Sequence, residues 1–344
     1  MLITSRSFEK RGMVEQIMQN SEGRIACHYS EVSANPTVEE CDACARLLRD
    51  NRCDFVVALG GGSVMDCAKA AATFCTSDKK ATEYLGTGLA IPTSHLPLIA
   101  LPTTAGTGSE VTSVSVLSDH ERGIKAPLSA DGFYPTLAIV DPELTLTVPP
   151  HTTACTGFDV MCHAIEGYWS RNHQPVCDTL AIKALRMAID NLEKAFNHPD
   201  DTEARERMAE ASLTAGLAFN LPKTNSAHAC SYPLTNWLGI AHGEACAMTI
   251  THFMRYNAEY GDQRTETLAR LVGFNDAHAL ADHLDGMRQR TGMMMNLTQF
   301  HLDTQQSEKL ANAFKHPNLK NNPVEVSDDF LRELVDKLSF LNET

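Results

Sequence analysis

The sequence predicts an α/β domain built on a parallel sheet, residues 1–148, followed by an all-helical domain, residues 149–344. Three observations carry this. Short β-branched runs alternate with helical patterns up to about residue 148. Strand signals stop at Pro149. Two loops rich in Gly, Ser and Thr each follow directly on a strand. At 344 residues the chain is long for one domain and comfortable for two.

In chain order, Met1, Leu2, Ile3 and Thr4 read as the end of a strand with no turn before them. In NPTVEECDACARLLRDN (35–51), Val38, Cys41, Cys44, Leu47 and Leu48 follow helical spacing, and Thr37 with Glu40 makes a capping box. FVVALG (55–60) is an apolar strand, and the SVMDCAKAAATFC that follows its glycines is helical. PLIALP (97–102), SVSVL (113–117) and TLAIVD (136–141) are further strands. Strands alternating with helices imply a parallel sheet covered on both faces. Beyond Pro149, stretches such as 177–197 and 203–219 are amphipathic helices. A cleft between the two domains is the expected place for ligands.

Composition narrows the function. Basic residues number 29 against 43 acidic, a net charge of −14. Nucleic acid and anionic membrane are therefore poor partners, because both need positive surface. Hydrophobic residues at 43% and charged residues at 21% are globular values. No apolar run approaches the ~20 residues of a bilayer span, and the N-terminus turns polar too early for a signal peptide. Eleven cysteines, an odd and scattered set, fit free thiols in a reducing cytoplasm. Cys41 and Cys44 match C-x-x-C, but their helical setting makes them core residues.

Gly60, Gly61 and Gly62 lie between a strand end and a helix start. Three glycines allow positive φ and close approach of a ligand, and the helix start offers N–H groups to a phosphate. Ser63 is the expected cap, with Asp66 at the capping-box position. The loop 102–110, PTTAGTGSE, also follows a strand, and its hydroxyls suit a pyrophosphate or ribose. Neither G-x-G-x-x-G nor a P-loop is present, so a dinucleotide would bind in another way.

Asp159 and His163 stand four apart in a helical segment, on one face. His228 and His242 are fourteen apart, and Pro233 and Gly239 between them are expected to break the chain so that both return to one point. Three imidazoles and one carboxylate suit Fe2+, Zn2+ or a similar ion, able to act as a Lewis acid. The remaining histidines, His151, His173 and His252 among them, read as ordinary core or surface residues.

GGGSVMDCAK (60–69), LPTTAGTGSEVT (101–112), GFDVMCHAIE (157–166), the pair His228 and His242-Gly243, and NNPVEVSDDFLREL (321–334) together resemble the iron-containing, or group III, alcohol dehydrogenases. The resemblance runs from about residue 1 to the C-terminus. It implies the dehydroquinate synthase-like fold: an α/β dinucleotide-binding domain followed by a helical metal-binding domain. It also implies an NAD(P)-dependent oxidoreductase acting on CH–OH groups. Asp159, His163, His228 and His242 would be the metal ligands. Ser5, Gly60, Gly61, Gly62, Ser63, Asp66, Thr103, Thr104, Thr107, Thr112 and Lys125 would line the cofactor, NADH or NADPH. A homodimer or larger homo-oligomer is expected from the relatives.

Three departures stand out. Tyr232 occupies the position where many members carry a second histidine, which makes it the expected proton donor. Thr4-Ser5-Arg6-Ser7 lacks the usual ribose-binding aspartate, and Arg6 suits a 2′-phosphate, a lean toward NADPH. The family's first strand and hairpin would precede Met1, from which an exposed sheet edge and reduced stability are expected. The stretch 220–235 is similar to phosphonoacetaldehyde reductases and to the related sulfoacetaldehyde reductases, with Asn220 and Lys223 as candidate substrate residues. The expected reaction is reduction of a small anionic aldehyde such as phosphonoacetaldehyde to 2-hydroxyethylphosphonate. The alternatives are a general short-chain alcohol dehydrogenase, a dehydroquinate synthase-like lyase that recycles its NAD, and a non-catalytic homologue.

Overall fold

Side-chain alternation along a few short strands sorts the first part of the chain into layers. The computed structural model describes residues 1–339. In chain order this part contains β1 (Leu2–Ile3), α1 (Arg6–Lys10), α2 (Met13–Asn20), β2 (His28–Tyr29), α3 (Val38–Asp50), β3 (Val56–Gly60), α4 (Gly62–Phe74), α5 (Ala81–Tyr84), β4 (Leu98–Pro102), β5 (Val114–Asp119), β6 (Ile124–Ser129) and β7 (Leu137–Ala138). Five of these strands form one parallel sheet in the order β2-β1-β3-β4-β7. Leu2, Val57, Leu59 and Leu101 pack on one face with Phe8, Val14 and Ile25. Met1, Ile3, Val56, Ala58, Leu98 and Ala100 pack on the other with Cys41, Cys44, Leu48 and Phe74. Each fully buried Leu, Ile or Val contributes about 1.5–3 kcal/mol. The helix at 38–50 carries the expected capping box of Thr37 and Glu40.

Two expectations change. The strand at 113–117 is not in the parallel sheet: β5 pairs antiparallel with β6 as a separate hairpin. A short turn containing Gly123 at φ 63 joins them, which suffices for an antiparallel pair where a parallel one needs a crossover. β6 was hidden because Lys125 and Pro127 interrupt its apolar pattern. The run 136–141 supplies only the two-residue edge strand β7. β1 lies between β2 and β3, with the Met1 ammonium donating to Phe55 O at 3.1 Å, and the two-residue β2 is the outer strand on that side.

By internal contacts the first unit comprises Met1–Thr104 and Gly108–Thr145, and the second comprises Ala105–Thr107 and the chain from Leu146 on. Among the described residues the α-helices of the second unit are α6 (Pro150–Trp169), α7 (Pro175–Asn197), α8 (Thr202–Phe219), α9 (Ser226–Leu238), α10 (His242–Glu259), α11 (Gln263–Leu271), α12 (Ala277–Arg290), α13 (Thr304–Ala313) and α14 (Asp328–Ser339), and no strand is among them. Asp201, Asp262, Asp276 and Asp303 each cap the helix that follows. From Gly157 to Trp169 every residue of α6 is buried, so this helix forms the axis of the unit. Close approach of neighbours depends on small residues. A Cβ on Gly157 would overlap Leu192 of α7, and one on Gly243 of α10 would overlap the backbone of Cys155. No described helix is long and apolar enough to cross a membrane.

Candidate active site: a glycine loop and a histidine cluster

In the first unit β3 ends at Gly60 and α4 begins at Gly62, with Gly61 as the N-cap. None of the three glycines has positive φ. Their requirement is space: a Cβ on Gly60 would lie 2.5 Å from Val64, and one on Gly61 3.1 Å from Thr104 Oγ1. No side chain caps α4, which leaves the helix start open to an anion that its dipole favours. The cradle fits a pyrophosphate.

The expected capping box is absent. Ser63 Oγ accepts from the Asn35 N–H at 3.2 Å. Asp66 points to the hairpin, accepting from Ser109 Oγ at 3.0 Å and from the Val116 N–H at 3.0 Å. Burial pushes its carboxyl up in pKa, opposed by Lys69 and these donors. Lys69, which sequence reasoning passed over, is fully buried and donates to Ser109 Oγ, Thr112 Oγ1 and Val114 O at 2.8, 3.2 and 2.9 Å. Burial lowers its ammonium to a pKa of about 8. Asp66 and Lys69 thus brace the glycine-loop helix against β5 and the segment leading into it.

Thr103 is buried and its N–H donates to Gly60 O at 3.0 Å. Thr107 groups with the second unit. Lys125 Nζ donates to Asn35 Oδ1 at 2.8 Å, and burial lowers its pKa. Ser5 and Ser7 share a 3.0 Å hydrogen bond. Arg6 pairs with Glu31 at 2.7 Å in an exposed ion pair, so a carboxylate stands beside it.

In the second unit Asp159 and His163 of α6, His228 of α9 and His242 of α10 come together. Asp159 Oδ1 lies 3.8 Å from His163 Nε2, 3.4 Å from His228 Nε2 and 3.7 Å from His242 Nε2. α9 runs unbroken through Pro233, and the turn that returns His242 is Gly239 at φ 71. Cys246, one turn after His242, joins the cluster: Asp159, His228, His242 and Cys246 each place a donor atom within 4.8 Å of the others. Sequence reading missed it, although the i,i+4 spacing from His242 was visible.

The arrangement fits a cation. Asp159 Oδ1 and His228 Nε2 are buried, and neither has a hydrogen-bond partner. Such orphaned atoms are rare in native proteins, and their spacing is that of two ligands on one ion. Burial pushes the Asp159 carboxyl up, but His163, His242 and His228 outweigh it and hold it well below the usual carboxylate range. Burial depresses His163 to about 4, against Asp159. Burial raises the Cys246 thiol, but His228 and His242 bring it down to about 7.

Supporting groups fix which nitrogen faces the cluster. Glu166, fully buried and also missed in the sequence, accepts from His228 Nδ1 at 2.6 Å. Its oxygens also accept from the Asn225 and Ala227 N–H groups at 2.9 and 2.5 Å. Ser231 Oγ donates to His228 O at 2.7 Å, so it accepts from His242 Nδ1 at 3.2 Å. Both histidines therefore present Nε2 inward. The His163 ring stacks on Phe219 at 4.1 Å.

Tyr232 sits one turn after His228, its ring 5.0 Å from that of His316, and burial raises its pKa. Asn220 is the C-cap of α8. Lys223 is exposed, with φ 64. The loop holding both runs from Phe219, stacked on His163, to Asn225, bonded to Glu166. All eleven cysteines are unpaired thiols.

Comparison with known proteins agrees with this geometry. The pattern described as iron-containing alcohol dehydrogenase matches residues 1–142, and that of the C-terminal part of the Fe-containing alcohol dehydrogenase family matches residues 153–338. Long-chain-alcohol dehydrogenase 1 of Geobacillus thermodenitrificans is 38% identical over 281 residues, 80% of this chain and 71% of that one. The 1-propanol dehydrogenase PduQ of Salmonella typhimurium is 33% identical over 325 residues, 90% of this chain and 84% of that one. The crystal structure of sulfoacetaldehyde reductase from Bifidobacterium kashiwanohense in complex with NAD+ superposes with a TM-score of 0.96 at 49% identity, covering 98% of this chain and 90% of that one. With both halves matched and an uncapped glycine loop and a histidine cluster in place, the chain belongs to the iron-containing alcohol dehydrogenases, NAD-dependent oxidoreductases that act on alcohols.

Proposed function

We propose that this enzyme reduces a two-carbon aldehyde bearing an anionic group, sulfoacetaldehyde in the first place, with NADH. The observation that carries this is the 49% identity and 0.96 TM-score to a sulfoacetaldehyde reductase. Phosphonoacetaldehyde, which the stretch 220–235 suggests, is the second reading, because the same cation serves a phosphonate. Lys223 is the proposed anion partner, since its loop is anchored at one end on His163 and at the other on Glu166, which holds His228. NADH is preferred over NADPH because Glu31 neutralises Arg6, and a carboxylate near the ribose repels a 2′-phosphate.

Asp159, His163, His228 and His242 hold the iron in this reading, and Gly60, Gly61, Gly62 and Ser63 with Thr103 and Thr104 hold the cofactor. When bound, the ferrous ion supplies Lewis acidity toward the aldehyde oxygen and the nicotinamide supplies the hydride. The chain's own residues do the rest. Glu166 and Ser231 hold His228 and His242 in the ligating tautomer. Phe219 fixes the His163 ring. Tyr232, whose raised pKa keeps its phenol protonated at working pH, holds the proton that the product alcohol takes up.

The test is a steady-state comparison of sulfoacetaldehyde, phosphonoacetaldehyde and butanal with NADH and with NADPH on the iron-loaded enzyme. The expected order places both anionic aldehydes at least ~100-fold above butanal in kcat/KM, with NADH preferred. The Lys223→Ala variant should lose most of that preference through KM. Equal rates on butanal and on the anionic aldehydes would refute the proposal.

A further inference from the structure

One turn before Asp159 on α6 lies a second group of donors that the reaction does not use. His151, Cys155, Asp159 and His163 recur every four residues, so they line one stripe of α6. Opposite the first two stands Glu244 of α10. His151 Nε2 is 3.5 Å from Glu244 Oε2, and Cys155 Sγ is 3.7 Å from His151 Nδ1 and 3.8 Å from His151 Nε2. The three donors all lie within 4.8 Å of one another. Tetrahedral zinc, with bonds of about 2.0–2.3 Å to nitrogen, oxygen and sulfur, requires ligand atoms separated by about 3.3–3.6 Å. The His151–Glu244 spacing falls in that range and the His151–Cys155 spacing lies just above it.

The environment is that of a site rather than of a surface ion pair. Glu244 and Cys155 are each only 5% exposed, while His151 is open to solvent. The second oxygen of Glu244 is fixed by the Met294 N–H at 2.7 Å, the kind of outer hydrogen bond that orients a ligating carboxylate. The backbones of α6 and α10 touch here, where only glycine fits at position 243.

We infer that His151, Cys155 and Glu244 bind a second divalent cation of zinc-like softness, distinct from the ion of the histidine cluster, with three protein ligands and a fourth position open to water. Its binding expels the Cys155 proton and pins the start of α6 to α10, the two helices that carry Asp159, His163 and His242. The inference does not depend on which aldehyde is reduced.

The experiment uses iron-loaded enzyme incubated with Zn2+ and desalted, with iron and zinc both counted and the thermal midpoint measured. Wild type should retain about one zinc per chain beside its full iron and melt higher than before zinc addition. His151→Ala, an exposed change that leaves the fold intact, and Cys155→Ser should retain their iron but lose the added zinc and the rise in midpoint. Cys246→Ser should still take up the zinc. The inference is overturned by no zinc uptake, by uptake only in exchange for iron, by uptake unchanged in both His151→Ala and Cys155→Ser, or by uptake lost in Cys246→Ser.

Discussion

In the proposed site, the glycine loop of the first unit and the histidine cluster of the second would hold their groups with opposite materials. The loop works by leaving side chains out: Gly60 and Gly61 have no room for a Cβ, and α4 has no side-chain cap. The cluster works by bringing side chains in, from α6, α9 and α10, onto a support of Glu166 and Ser231. The difference teaches where each site is vulnerable. Substitution at the loop adds an obstacle, whereas substitution at the cluster leaves buried polar atoms unpaired.

The largest test of this contrast is Asp159→Ala. It removes the carboxylate that lies beside all three histidines. Aldehyde reduction should fall ~1000-fold or more and iron should be lost, while NADH binding, followed by fluorescence titration, stays within about twofold. A large loss of NADH affinity would break the separation of the two sites.

Next comes Lys69, the buried cation behind the loop. Its folded pKa of about 8 lies below the ordinary lysine value. Between pH 8 and about 10.5 the unfolded chain therefore holds a proton that the folded chain has shed, and stability rises with pH. Relative to Lys69→Met, wild type should gain about 3 kcal/mol over that window in urea unfolding. A difference that is flat with pH would show that burial of this ammonium costs nothing.

Glu166→Gln sharpens the cluster side. The His228 tautomer loses its carboxylate partner, and iron affinity should weaken by about 10–100-fold, measured by competition with a chelator. The smallest effect is Gly61→Ala. Its Cβ would meet Thr104 Oγ1 at 3.1 Å, so NADH should bind about tenfold more weakly, with iron content unchanged.

The same contrast explains what could be read from sequence. Gly60, Gly61 and Gly62 announce themselves locally, as do Asp159 and His163 at helical spacing. Thr37 and Glu40 capped their helix as expected. Glu166 was not legible, because its partner His228 is 62 residues away and only packing brings them together. Asp66 looked like a cap, but tertiary hydrogen bonds to Ser109 and Val116 claimed it. The β5–β6 hairpin was missed for a related reason: Pro127 and Lys125 hide an edge pairing that only the partner strand reveals. The Arg6–Glu31 pair was not legible either, because the two residues lie 25 positions apart.

The proposed NADH-linked reduction depends on iron held by Asp159, His163, His228 and His242. It is tested most directly by measuring iron content and NADH oxidation with sulfoacetaldehyde on the His242→Ala variant. Iron and activity should fall together while the variant still binds NADH. A variant that retained both iron and activity would contradict it.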